Sequence, residues 1–205
     1  MGLPKPKPRF DFESYLAFEA EQTIKHEYAR GEIFAMAGAA PNHATICLNL
    51  GAAFKSHLRG SRCRTYVADV KLRIEAADVG FYPDVFVTCD FRDLASRLVM
   101  RHTLLVVEVL SDSTAAYDRG GKFADYRALE DLREYVMVDI EARRVECYRR
   151  NPEKRWVLYE YSGEGECEFA SIGLALPLAL VFEDLDPPME AGGRDAEQET
   201  PYPNG

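Results

Sequence analysis

The sequence predicts an α/β domain in which helices flank a central, mixed β-sheet in three layers. Three observations carry that expectation. The run TLLVVEVL (103–110) is almost wholly apolar, as befits a strand buried on both faces. Two stretches with apolar residues near a 3.6-residue period, 41–59 and 117–129, lie on either side of it. Three short segments rich in β-branched and aromatic residues then follow one another through 134–161.

The elements follow in chain order. Residues 1–9 are rich in Pro and Lys and are expected to be a mobile N-terminal segment. Residues 10–22 form a short amphipathic helix with Asp11 as its N-cap. KHEYARGEIFAMAG (25–38) reads as a hairpin turning at Arg30-Gly31. Residues 41–59 form a longer helix that stops at Gly60. RTYVADVKLRI (64–74) alternates as one half-buried strand, and YPDVFVT (82–88) and 103–110 are inner strands. Residues 134–140, 144–150 and 155–161 make a meander running off the sheet. From 186 to 205 the chain is rich in Pro, Gly and acid and is expected to be a disordered tail. A single domain over 10–185 is left, without internal repeats.

Composition removes several classes of function. With 205 residues, 47% hydrophobic and 29% charged, the chain can bury a full core. No apolar run approaches the roughly 18–20 residues of a membrane span, and the basic N-terminus has no apolar segment behind it to make a signal peptide. The five cysteines are odd in number, widely spaced and never in a CxxC pair. That spacing argues against a disulfide framework and a zinc–thiolate site, and it fits a reducing cytoplasm. No Walker motif or GxGxxG is present, so no nucleotide cofactor is expected. A formal net charge of −9 makes the chain a poor non-specific polyanion binder, so any nucleic-acid role needs a local basic surface. RGSRCR (59–64), RRVECYRR (143–150) and Lys154-Arg155 are the basic clusters, although solvated loops and edge strands carry such charge for other reasons.

The chemistry starts at Glu108, a carboxylate where the strand pattern calls for another Val. An ionised carboxylate in an apolar layer costs several kcal/mol unless a cation or strong donors satisfy it. Asp84, after Pro83 at the start of the neighbouring strand, is its natural companion. If the two strands pair antiparallel, Asp84 and Glu108 come opposite each other. Two such carboxylates repel unless a divalent ion lies between them, and oxygen-only ligands suit Mg²⁺ or Mn²⁺. In YDRGGKFADYRAL (117–129), Asp118 and Lys122 lie four apart on one helical face that continues through Tyr126 and Leu129. That face either packs inward, carrying Lys122 toward the sheet, or leaves Asp118 and Lys122 as an ordinary surface pair worth only a few tenths of a kcal/mol. Gly120-Gly121 weaken the helix at this point.

The order HEYARGEI (26–33), AMAGAAPNHATI (35–46), YPDVFV (82–87), LLVVEVLSDST (104–114), YDRGGKFADYR (117–127) and REYVMVD (133–139) resembles the Uma-two family, a branch of the PD-(D/E)XK nuclease superfamily. The resemblance spans roughly residues 10–182. It implies a restriction-endonuclease-like fold and Mg²⁺- or Mn²⁺-dependent hydrolysis of DNA phosphodiesters. It also implies that Asp84, Glu108 and the Val109 carbonyl hold the metal. One departure matters: the E-x-K pattern puts a lysine two positions after Glu108, where this chain has Leu110. The resemblance moves that role to Lys122, with Lys71 as the substitute. It also marks Glu27, as an acid completing the metal shell through water, and His43. Asp118 is a candidate partner fixing Lys122, and Asp69 ranks with it. The alternative is a catalytically degenerate relative acting as a binding or assembly module. A homodimer is expected, because cutting both DNA strands needs two sites.

Overall fold

The computed structural model describes residues 9–111 and 114–185. The expected tail, 186–205, and residues 1–8 of the expected mobile segment lie outside that range. Helix α1 spans Phe12–Ala20 and is capped as the sequence predicts, with the Asp11 carboxylate accepting from the Ser14 N–H. Strands β1 (His26–Ala29) and β2 (Glu32–Ala35) form the hairpin, with Arg30 and Gly31 both at positive φ as a tight right-twisted turn requires. Helix α2 is Pro41–His57, followed by β3 (Arg64–Val67), β4 (Lys71–Ile74), β5 (Val79–Phe81) and β6 (Val85–Thr88). A short helix α3 (Phe91–Ala95) and β7 (Val99–Met100) precede β8 (Thr103–Val109). Then come α4 (Ala115–Tyr117), a π-helical turn over Asp118–Lys122, and α5 (Phe123–Tyr126). The chain continues through β9 (Glu134–Asp139), β10 (Arg144–Arg150) and β11 (Trp156–Ser162). It closes with β12 (Glu166–Phe169), β13 (Leu174–Pro177) and α6 (Leu178–Val181).

The strands divide among three sheets where the sequence predicts one. A six-stranded sheet runs β11-β10-β9-β8-β6-β3, a five-stranded sheet runs β2-β1-β5-β4-β7, and β12 pairs with β13. The reason lies at two breaks. The expected strand 64–74 is cut at Ala68, whose φ of +54° no strand tolerates, and β3 and β4 join different sheets. The expected strand 82–88 begins only at Val85, because Tyr82-Pro83-Asp84 is where the chain crosses from β5 to β6. The Ala68 N–H bonds to the Asp84 carbonyl at 2.9 Å, which ties the two breaks together.

The six-stranded sheet is mixed. Strand β8 pairs antiparallel with β6 and parallel with β9, and a parallel pair needs a crossover connection, here residues 115–126. Alternation along β8 then sorts the core. Leu105, Val107 and Val109 pack with Ile46, Leu50 and Phe54 of α2 and with the 167–182 segment. Val106 and Leu110 face the other way, toward Phe81 of the five-stranded sheet and Phe123 and Tyr126 of the crossover. Glu108 shares that second face.

One further expectation is overturned. Cys63 and Cys89 are joined as a disulfide. They flank the paired residues Arg64 and Thr88 of β3 and β6, so antiparallel pairing brings together two thiols that lie 26 residues apart in sequence. Cys47, Cys147 and Cys167 are free and buried.

Candidate active site

The site forms at the seam where three elements meet: β1 of the five-stranded sheet, the β6–β8 pair, and the crossover. Val85 pairs with Val107, so the next residues outward, Asp84 and Glu108, sit side by side at the end of the ladder. The Asp84 carboxylate is anchored there by the Val109 N–H, 2.7 Å from Oδ2. It also lies against His43 Nε2, at 3.2 Å.

Glu108 is buried, and its Oε1 accepts a 2.7 Å hydrogen bond from the Tyr126 hydroxyl. Lys122 is equally buried. Its ammonium lies 3.1 Å from Glu108 Oε1, 3.1 Å from Glu27 Oε1 and 3.9 Å from Asp118 Oδ1. Asp118 and Lys122, at the two ends of the π-helical turn, are both buried. Gly121 serves the same packing, since a Cβ there would come within 2.8 Å of the Tyr117 ring.

The charge balance is lopsided. Glu108, Glu27, Asp118 and Asp84 gather around one lysine. Burial pushes the Glu108 carboxyl well above the usual carboxylate range, the Lys122 ammonium opposes this, and Asp84, Asp118 and Glu27 push it further up. For Lys122 burial alone would favour the neutral amine, but the surrounding carboxylates outweigh it and hold the ammonium above its ordinary range. Asp118 is raised by burial, with Lys122 and the Thr114 hydroxyl pulling it back. His43 is raised by its hydrogen bond to Asp84, against the effect of burial.

These features fit a divalent ion. Four acids face one cation, and Glu27 Oε1 is buried without a hydrogen-bond partner, its approach to Lys122 lacking hydrogen-bond geometry. The available donors are oxygens, as hard cations prefer.

Of the residues that the sequence singled out, Glu27, His43, Asp84, Glu108, Val109, Asp118 and Lys122 are brought together. Lys71 is not: its ammonium lies over the Tyr82 ring, 5.0 Å from the centroid. Asp69 is exposed and paired with Lys25. Two neighbours escaped sequence reasoning as site residues. Tyr126 sits four residues after Lys122, a spacing read there only as packing. Cys47 sits four after His43 on α2, and its sulfur is 3.6 Å from His43 Nδ1. A cavity of about 190 Å³ lined by Arg62, His102, Asp131 and Arg133 opens near the Thr103 end of β8, away from Glu108. The basic segment 143–150 is largely spent internally, with Arg144 on Glu146 at 2.9 Å and Arg149 on Glu134 at 2.8 Å.

Mixed β-sheets and helices that gather four carboxylates around one buried lysine make this a mixed α/β protein with a buried acidic site. The model of the Uma2 family, described as "Putative restriction endonuclease", matches residues 12–181, and the chain belongs to this family. "Uncharacterized protein slr1290" of Synechocystis is 38% identical over 180 residues, covering 88% of this chain and 95% of that one. "Uncharacterized protein sll1609" of the same organism is 36% identical over 160 residues, covering 76% and 90%. The fold is also similar to the crystal structure of "a putative nuclease belonging to DUF820" from Anabaena variabilis, with a TM-score of 0.70 at 14% identity. That similarity covers 84% of this chain and 97% of the other. Among the described residues, no helix is long and apolar enough to cross a membrane.

Proposed function

We propose that this protein is a Mg²⁺- or Mn²⁺-dependent DNA endonuclease of the PD-(D/E)XK type, with a restriction-endonuclease-like core. Asp84, Glu108 and the Val109 carbonyl are the residues that would hold the ion, with Glu27 completing its shell through water. A divalent ion so held supplies positive charge opposite a phosphodiester and lowers the pKa of a water molecule. Lys122 orients the attacking water and offsets charge developing on the phosphate. Tyr126 fixes the Glu108 carboxylate, and Asp118 and Glu27 keep Lys122 protonated and in place. The observation that carries this reading is the convergence of Lys122 on Glu108 from a separate element, which substitutes for the lysine absent at Leu110.

The net charge of −9 favours a second reading, a degenerate relative that binds without cutting. A time course on supercoiled plasmid and on branched or single-stranded DNA, with Mg²⁺ and with Mn²⁺, separates the two. The wild type is expected to cut, and Lys122→Ala to lose most of that rate while keeping its response to metal, because the lysine acts on the transition state. Lys122→Arg should rescue poorly, since a planar guanidinium does not reproduce a compact ammonium. A wild type that cuts none of these substrates favours the binder. A Lys122→Ala variant that cuts normally removes Lys122 from the mechanism.

A further inference from the structure

We propose a second metal site, for a thiophilic divalent ion such as Zn²⁺ or Co²⁺, formed by His43 and Cys47 of α2 together with Asp84. The two helical residues are four apart and stack on one face, with the sulfur 3.6 Å from His43 Nδ1. His43 Nε2 lies 3.2 Å from Asp84 Oδ2. One donor atom from each of the three residues lies within 4.8 Å of the other two. At zinc bond lengths of about 2.0–2.3 Å, tetrahedral ligand atoms stand roughly 3.3–3.8 Å apart, so the triad has to close by at most about 1–1.5 Å.

The donor set gives the site its selectivity. Sulfur, nitrogen and oxygen together suit zinc and cobalt and are poor ligands for Mg²⁺, which prefers the all-oxygen cluster beside them. Wide spacing of the cysteines weighs against a multi-thiolate centre, but this site uses a single thiol. When the ion binds, the Cys47 S–H proton passes to solvent, as does any second proton on the imidazole, so that the thiolate and one unprotonated nitrogen of neutral His43 become ligands. Three protein ligands leave a fourth position open.

Asp84 belongs to both sets. An ion held by His43 and Cys47 draws on the carboxylate that the proposed Mg²⁺ position needs, so a thiophilic ion acts as an inhibitor that enters beside the catalytic position. That consequence rests on the proposed nuclease function; the binding itself does not.

The test uses the full chain and Co²⁺ as a spectroscopic probe. Adding CoCl₂ to the wild type should produce a sulfur-to-cobalt charge-transfer band in the near ultraviolet, and Zn²⁺ should bleach it. Cys47→Ser should remove the band while leaving the thermal shift with Mg²⁺ in place. Glu108→Gln should keep the band and lose the Mg²⁺ shift, so failure of one site is told apart from failure of the other. Because Cys47 is buried, His43→Gln serves as a second variant, and it should weaken Co²⁺ binding by at least roughly 10–100-fold. No band in the wild type overturns the proposal. So does a band that survives both substitutions, which would point to Cys147 or Cys167.

Discussion

Removing the positive charge of Lys122 tests the electrostatics of the site without any substrate. Lys122→Met keeps the length and apolar stem of the side chain and deletes the ammonium, leaving Glu108, Glu27 and Asp118 with no compensating charge. Breaking a buried pair in this way costs about 3–5 kcal/mol. For a chain of this size, each kcal/mol moves the melting temperature by about 2–4 °C, so the variant should melt roughly 6–20 °C lower at neutral pH in EDTA. The sign of the pH dependence follows from Glu108. Its folded pKa stands above the ordinary 4.5 because of burial, and higher still once Lys122 stops opposing it. The folded state therefore binds that proton more tightly than the unfolded state. The resulting stability is fully present below the unfolded pKa and is lost as pH rises through the folded one. The deficit of the variant should accordingly shrink on acidification. The double variant Lys122→Met/Glu108→Gln removes both charges and should recover much of the loss, a coupling that a thermal-melt double-mutant cycle reads directly. A single-variant loss under about 1 kcal/mol, or a double variant no more stable than Lys122→Met, would refute a buried, charge-coupled pair.

Three other outcomes follow from the same geometry. Mg²⁺ or Mn²⁺ should raise the melting temperature of the wild type by mass action, and Asp84→Asn and Glu108→Gln should each lose that gain while staying folded, as melts with and without EDTA would report. Arg149→Leu should cost about 3–5 kcal/mol in chemical denaturation, because it strands Glu134, a fully buried carboxylate that also accepts the Ala170 and Ser171 N–H groups. Thiol titration in denaturant without reductant should find three reactive cysteines, with five after reduction; five at the outset would show that Cys63 and Cys89 are not bridged.

Much of this architecture was legible in the chain. The apolar run around Glu108, the Asp11 cap, the Arg30-Gly31 turn and the 134–161 meander all carry local signals of period or turn chemistry, and each appears where those signals place it. Strand pairing was enough to juxtapose Asp84 and Glu108, whereas the spacing of Asp118 and Lys122 fits a surface pair equally well, and only the family resemblance pointed Lys122 to the site. The failures have separate causes. Ala68 breaks a strand through a backbone angle that its side chain does not announce, so the division into two main sheets was hidden. The Cys63–Cys89 bridge depends on the register between β3 and β6, which spacing alone does not reveal. Glu27 reads as an ordinary hairpin acid until the second sheet folds over the crossover. The strands at 166–169 and 174–177 are too short and too mixed to stand out.

The origin of Lys122 in the crossover, rather than in the strand that carries Glu108, has a consequence for how the protein matures. A lysine two residues along β8 would be positioned as soon as that strand zipped into the sheet. Here the Asp84–Glu108 pair can assemble from β6 and β8 alone, while Lys122, together with Asp118, arrives only when residues 115–126 dock onto the sheet face. Local opening of that crossover, which needs less free energy than global unfolding, would leave a species whose Asp84 and Glu108 are in register but lack Lys122, and which, under the proposed function, would not cut. Amide exchange across 115–126 would then measure how often Lys122 leaves the two carboxylates.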